Sequence, residues 1–473
     1  MRRNFVYGTK GAPRRARAMK RQLHLNLFIH GRGHHEAAWR HPASSPLALT
    51  DIRYYQDLAQ RAEAARFDSI FLADQLALGG DVTQAPRTWL EPITVLAALA
   101  VATRRVGLIA TASTTYTEPF NLARQFASID HISNGRAAWN IVTSWLATAA
   151  ENYGTTGQVS HADRYARGEE FMAVVKELWD SWAADAVIDD RASGAYARGE
   201  RIRAVNHRGD FYGVTGPLNM PRCPQGRPVL VQAGSSDTGR RFAARHAEAV
   251  FTAHMAKATA QEFYADLKKL AAAEGRYPGQ ILILPGLSPM IGSTEAEAQR
   301  LAREVGDLSD PEVGRKRLSG RFGGHDFSHL PLDRPLRPED FPDPSMVEAA
   351  RSRTEVILNL VRRDQPTLRQ LLGYLAGARG HYVMTGTPEQ VADLIEDWFN
   401  DGAADGFNVM PPVLPAQLDA FSAEVIPLLQ RRGLFRTEYA GTSLREHYGL
   451  PWPASVFDDP ARTFAPRESA AGV

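Results

Sequence analysis

Short apolar runs alternating with amphipathic stretches of helix length set the rhythm of this chain. The run LHLNLFI at 23–29 alternates apolar with polar and then turns wholly apolar, as a strand entering a buried sheet does. Asp51 then caps a helix whose Tyr54, Leu58 and Ala62 fall one turn apart. The pairing recurs, with strands expected at 68–72, 106–110, 137–142, 229–232, 249–252, 281–287 and 406–410. Helices are expected at 91–102, 121–132, from 161, from 237, and at 260–274, 294–305, 388–399 and 418–430. Eight strands alternating with helices is the count of a closed parallel barrel, an α/β protein of (β/α)8 TIM-barrel type. Two irregular excursions, at about 183–227 and 307–382, interrupt the alternation and read as insertions.

The densest chemistry lies between Leu122 and Phe171. Asn134-Gly135 supplies a turn, 137–142 an apolar strand, and Asn140, Thr143 and Ser144 put uncharged polar groups in and beyond it. Ser160, with Asp163 three residues on, has a capping-box spacing that opens a helix and sets His161 and Tyr165 four apart on one face. That face is expected to point back at the strand end. In a parallel barrel every strand exit lies on one side, so Asp74, Thr111, Ser113, Asn140, Thr143, Ser144, Gln232, Ser235 and Ser236 are expected to converge there.

Composition removes several classes of function. With 55 basic and 53 acidic residues the formal charge is +2, which gives no support to a nucleic-acid or membrane-surface role. A single cysteine, Cys223, excludes an internal disulfide and a Cys-based zinc site, and fits a reducing cytoplasm. The arginine-rich start, 1–21, lacks the apolar run of a secretory signal and reads as a disordered basic extension. No segment is apolar and long enough to span a bilayer, and the proline-bearing tail, 451–473, reads as extended. The barrel itself is expected as one domain over 22–450.

Two further patterns admit two readings each. Gly234-Ser235-Ser236 opening a helix that holds Gly239, Arg240 and Arg241 has the makings of a phosphate site, although a Gly-Ser turn with an Asp237 cap explains the same letters. The loop 30–42 holds four histidines with Arg32, Glu36 and Arg40. Its spacing matches no compact zinc motif. The preferred reading is a substrate-side loop in which His35 or His41 donates a hydrogen bond or moves a proton, with no metal.

With these residues in place the chain resembles the luciferase-like, reduced-flavin-dependent monooxygenases. The resemblance is to the group of nitrilotriacetate monooxygenase component A, the pristinamycin synthase large subunit and dibenzothiophene-sulfone monooxygenase. The strings that carry it include AAWRHP, FLAD, LEPITVLAALA, ATASTTYTEPFNLARQFASIDHISNGRAAWNIVTS, HADRYARGEEFMAVVKELWDSW, GPLNMPRCPQGRPVLVQAGSS, DGFNVMPP and LQRRGLFRTEYAGTSLREHYGL, spread over about 22–450. The resemblance implies FMN, in its reduced form, at the C-terminal face. It carries contacts over to Asp74, Thr111 or Ser113, Asn140, His161, Tyr165 and Ser235 with Ser236, the last pair beside the phosphate. It further implies O2, a separate NAD(P)H:flavin reductase, a small organic substrate and a homodimer or homotetramer. The catalytic roles go to His35, His41, Ser144 and His161. The rivals are a deazaflavin-dependent dehydrogenase on the same barrel and a non-enzymatic flavin-binding protein.

Overall fold

The computed structural model describes residues 21–78, 82, 86, 89–144, 147–154, 159–343, 351–378, 380–455 and 457. Eight parallel strands close on themselves: β1 (His24–Ile29), β2 (Ser69–Leu72), β3 (Gly107–Ser113), β4 (Ala137–Val142), β5 (Val229–Gln232), β6 (Ala249–Thr252), β7 (Leu282–Ile291) and β8 (Gly406–Val409). Each pairs with its neighbours in chain order, and β8 closes the ring onto β1 with His24 opposite Gly406. The helices that return the chain are α1 (Ile52–Ala64), α2 (Pro92–Ala102), α3 (Pro119–Ser133), α4 (His161–Trp179), α5 (Asp237–His246), α6 (Lys257–Ala273), α7 (Glu295–Gly306) and α8 (Pro388–Asn400). Asp51, Ser160 and Thr294 cap α1, α4 and α7 as their spacing predicts, accepting from the backbone amides of Arg53, Asp163 and Glu297. Asn134, at φ +58°, ends α3 and turns the chain into β4.

Strand residues in register share a face, so two cores form. Outside the ring, Trp139, Phe126, Phe171 and Trp179 pack strands against helices. Inside it, Phe28, Phe71, Ile109, Ala138, Val231 and Phe251 fill the barrel. The narrow end is stoppered by the chain's own late segment, the short helix Leu444–His447 with Tyr448. Gly107 is required there, because a Cβ on it would lie 2.5 Å from Leu444 Cδ1.

The structure departs from the sequence reading at several points. Strand β3 runs on through Ser113, so Thr111 and Ser113 lie within it and not beyond its end. Strand β7 extends to Ile291, and its upper half pairs with a ninth parallel strand, Tyr382–Gly386, that the reading assigned to the edge of the insertion. The first excursion contains two small hairpins, Val187–Asp190 with Ala195–Ala197 and His207–Arg208 with Gly213–Val214. The second folds as helices Pro311–Arg321, Arg351–Asp364 and Leu368–Ala378 around a core of its own. The last long helix is broken by a π turn at Phe421–Val425, just before Pro427, whose ring removes an amide donor. Arg21, placed in the basic extension by the reading, is anchored to Phe399 O, Ala404 O and Asp405. No helix among the described residues is long and apolar enough to cross a membrane.

Candidate active site

The open end of the barrel is built from a polar ladder on β3 and β4. Thr111 faces Asn140 in register, and both side chains point inward above Ile109 and Ala138. The Thr111 hydroxyl donates to Leu72 O (3.0 Å), so its oxygen is left to accept from Asn140 Nδ2 (2.8 Å). This relay fixes the Asn140 amide with its Oδ1 pointing away, and that buried oxygen has no hydrogen-bond donor among the described residues. An acceptor left open in the interior is costly unless a ligand N–H meets it.

One residue pair higher, Ser144 leaves β4 with φ +40°, a conformation that L side chains rarely adopt. Its hydroxyl donates to Ser113 Oγ (2.7 Å), which also accepts from the amides of Thr115 and Tyr116. Arg164 Nη1 donates to Ser144 O (2.6 Å) and holds the turn from the side of α4. His161 and Tyr165 stand on that helix with ring centroids 4.9 Å apart. His161 is exposed, and partial desolvation followed by the Arg164 charge holds its pKa below the ordinary imidazole value.

Tyr165 links this wall to the start of α5. Its ring meets Phe242 edge-on at 5.7 Å, and a Cβ on Gly239 would come within 3.0 Å of its hydroxyl. Ser236 caps α5 by accepting from Gly239 N (3.1 Å). A Cβ on Gly234 would fall 2.2 Å from Gln232 Nε2 and 3.1 Å from Gly239 Cα, so the turn packs closely on the head of α5. Ser235 and Ser236 are half-buried beside it. Asp74, at the β2 exit, accepts from Gln75 N (2.8 Å), and burial, with Glu91 adding repulsion, raises its pKa above the carboxylate norm.

The loop after β1 turns His30 and His34 toward the barrel mouth. His34 is fully buried, 4.6 Å from Phe28, and its Nε2 donates to Phe28 O (2.8 Å). His30 lies between Phe28 and Trp89. With Phe71, Phe251 and His381, whose ring stacks on Phe251 at 4.8 Å, they form an aromatic floor at the barrel mouth. The sequence reading missed His30, His34 and His381, because a loop has no periodicity from which to read side-chain direction. His35 and His41 instead accept from backbone amides of their own loop, Ala37 and Ala43. Burial, and then the neighbouring His41, depress the His35 pKa to about 4. Arg32 and Arg40 are taken up by the carbonyls of Ser45 and Leu308, and Glu36 pairs with Arg317 of the second insertion. A groove of about 360 Å³ between this loop and the insertion is lined by Trp39, Arg40, Asp310 and Arg317, apart from the strand exits. Among the described residues no three His, Cys, Asp or Glu side chains converge to hold a metal.

The chain is similar to proteins of one known family. The family model for luciferase-like monooxygenases matches residues 28–405. The chain is 46% identical over 438 residues to N-acetyl-S-(2-succino)cysteine monooxygenase of Bacillus subtilis (strain 168), covering 93% of this chain and 99% of that one. It is 45% identical over 453 residues to nitrilotriacetate monooxygenase component A of Aminobacter aminovorans, covering 93% and 99%. Among solved structures, a riboflavin lyase with modified FMN and riboflavin superposes with a TM-score of 0.80 at 31% identity, covering 93% of this chain and 98% of that one.

Proposed function

Since the chain belongs to the luciferase-like monooxygenase family and is the oxygenase component of a two-component flavin monooxygenase, we propose a division of labour among its own residues. Reduced FMN, supplied by a separate reductase, brings the capacity to activate O2 and deliver one oxygen atom to a small organic substrate. The chain's 46% identity with a named monooxygenase weighs against the dehydrogenase and storage-protein readings.

The observation that carries the proposal is the open acceptor of Asn140. It fits an N–H of the isoalloxazine, held in a single orientation by the relay through Thr111 to Leu72. Ser144 and Ser113 orient the same edge, with Asp74 at the neighbouring strand exit. His161 and Tyr165 cover the flavin from α4, and Ser235 with Ser236 receives the phosphate at the head of α5. Phe28, Phe71 and Phe251 form the apolar floor that excludes water, which limits loss of oxidising equivalents as hydrogen peroxide. His30, His34 and His381 line the substrate side, and His35 and His41 keep the loop's own turns in place. The protein acts in the cytoplasm as a homodimer or homotetramer; the exposed Val101 and Ile132 on α2 and α3 support an interface.

The test is oxygen uptake with reduced FMN kept at steady state by an added reductase. Wild type should bind reduced FMN and give uptake above the uncatalysed background when substrate is present. His161→Ala and Ser144→Ala should each weaken flavin binding; if both left binding and turnover intact, these site assignments would be wrong.

A further inference from the structure

Lys176 in the last turn of α4 faces His246 in the last turn of α5, on the outer wall of the barrel and away from the strand exits. Its Nζ lies 2.9 Å from His246 Nδ1, and His246 Nε2 lies 2.6 Å from Glu169 Oε2. Arg245 Nη1 donates to the other Glu169 oxygen at 2.9 Å. A carboxylate can only accept, so the proton of the neutral imidazole sits on Nε2 and the Nδ1 lone pair is turned to the lysine. Carboxylate, imidazole and amine thus stand in line, the arrangement that activates a nucleophile by giving its proton somewhere to go.

The neighbours set Lys176 apart from two other lysines of the chain. Lys257 is set on Asp397 and Asp401, and Lys268 on Asp405 and the carbonyls of Pro278 and Ile281, so each ammonium has a carboxylate against it. Lys176 has an imidazole there, with Arg227 from the start of β5, Arg276 from beyond α6, Glu248 and Glu169 bearing on it. Glu248 is taken by Arg445, Glu169 by His246 and Arg245, and Arg227 by Asp180, while Arg276 donates to the carbonyls of Ala244 and Gln280. Burial first, and then the Arg227 charge, lower the Lys176 pKa to about 8, and burial holds His246 below the ordinary imidazole value. The free amine is therefore present in mildly alkaline solution. Lys176, His246 and Glu169 are half-buried, so the amine is open to a small reagent.

These surroundings discriminate among electrophiles. A protonated imine, formed with a carbonyl compound, would keep a cation beside two guanidinium groups, and an amide would leave a neutral group. A carbamate replaces the cation with an anion, which Arg227 and Arg276 favour. We propose that Lys176 is a site of reversible carbamylation by CO2, with His246 as the proton acceptor. The amine lone pair forms the new C–N bond as one C–O π bond of CO2 opens onto oxygen. The surplus proton on nitrogen passes to His246 Nδ1, and Glu169 stabilises the imidazolium; nothing is oxidised or reduced. The site stands apart from the flavin wall and needs no flavin bound.

The experiment uses the full chain without flavin. The protein is equilibrated with ¹³C-labelled CO2 and bicarbonate in mildly alkaline buffer, and carbamates are trapped as stable esters with an oxonium alkylating reagent. Peptide mass spectrometry locates the modified lysines, and ¹³C NMR reads the carbamate directly. Trapping at Lys176 should saturate with CO2 and far exceed that at the exposed Lys269 and Lys316. Lys176→Arg should remove the ¹³C signal, and His246→Gln should lower occupancy at fixed CO2 by about tenfold, the equivalent of one pKa unit. Absence of label at Lys176, or label no greater than at the exposed lysines, would overturn the proposal, and the wild type alone decides this if a variant does not fold. Occupancy unchanged in H246Q would overturn the part assigned to the imidazole.

Discussion

Two buried arginines on either side of strand β4 show how differently the two ends of this barrel are built. Arg136, just before the strand at the closed end, is 2% exposed and makes five hydrogen bonds, to Ser133 O, Thr103 Oγ1, Val106 O, Ala100 O and Thr103 O. Arg164, beyond the strand at the open end, is buried almost as deeply and makes one among the described residues. The contrast extends to the neighbours. At the closed end Asp68 is held by His24 and Arg436, Asp130 by Gln225 and the Ala137 amide, and Arg445 by Glu248. At the open end Asn140 keeps an acceptor free. Both ends bury polar groups at a cost; the closed end sets its buried charges against counter-charges, although Arg436 Nη1, Arg445 Nε and His447 Nδ1 meet no partner there among the described residues. The polar inventory alone therefore does not mark a ligand site in a barrel; an open buried acceptor that faces the strand exits, as at Asn140, is the narrower sign.

The comparison can be broken most forcefully at Arg136. Arg136→Met should lower the unfolding free energy by about 4 kcal/mol, because it strands several buried carbonyls at once. Arg164→Met should change it by less than about 1 kcal/mol, since it removes a charge that the fold alone does not satisfy. Chemical denaturation of the two variants side by side checks the pair, and similar losses would erase the distinction between the ends.

Asp130 sharpens the same point through pH. Burial raises its pKa from 3.8 to about 6, against the pull of the Gln225 and Ala137 hydrogen bonds. The native state therefore keeps a proton that the unfolded chain has lost between those values, and this group's contribution is full below about pH 4 and lost as pH rises through about 6. A shift of that size corresponds to about 3 kcal/mol. Asp130→Asn should gain roughly that much relative to wild type between pH 4 and pH 7, read from denaturant midpoints across the range. A constant difference would show that Asp130 stays ionised.

Smaller effects are expected at the open end. Asn140→Ala should leave stability within about 1 kcal/mol but weaken reduced FMN about tenfold, the value of one well-placed hydrogen bond. Ser144→Gly should hold stability to within about 1 kcal/mol, because relief of the left-handed φ offsets the lost Ser113 contact, and should still cost flavin affinity. Thermal melts with and without flavin separate the two effects for each variant.

Much of the frame was legible before any coordinates. Strands β4, β5 and β6 fall where the apolar runs begin and end, because turn signals bound them tightly, as Asn134-Gly135 does for β4. The hairpins of the first excursion were not legible, since their residues are mostly exposed and carry no alternation; Glu170 of α4 organises the second one by accepting from Phe211 N, Tyr212 N and His207. The ninth strand, YVMTG, is only half-buried and mixes polar with apolar. At the open end, the placement of Asn140 and Ser144 at a strand exit and of Tyr165 on the facing helix was readable from the apolar run and the helix spacing. Arg164 lay in the same string and was passed over, because an arginine's default place is the surface and only the partners it lacks give it away. The inward turn of His34 depends on one loop backbone and left no trace in composition.

The stopper at the closed end bears on how the molecule comes into being. Every strand of the ring is synthesised before Leu444, yet Leu444 and Tyr448 are what fill the interior against Gly107 and Asn26. On the ribosome the ring can assemble only as an uncorked cylinder, with its lower side chains wet, until the last described segment emerges. Loss of a few dozen residues from that end would therefore leave the barrel unfinished, however intact the eight strands and the polar wall above them.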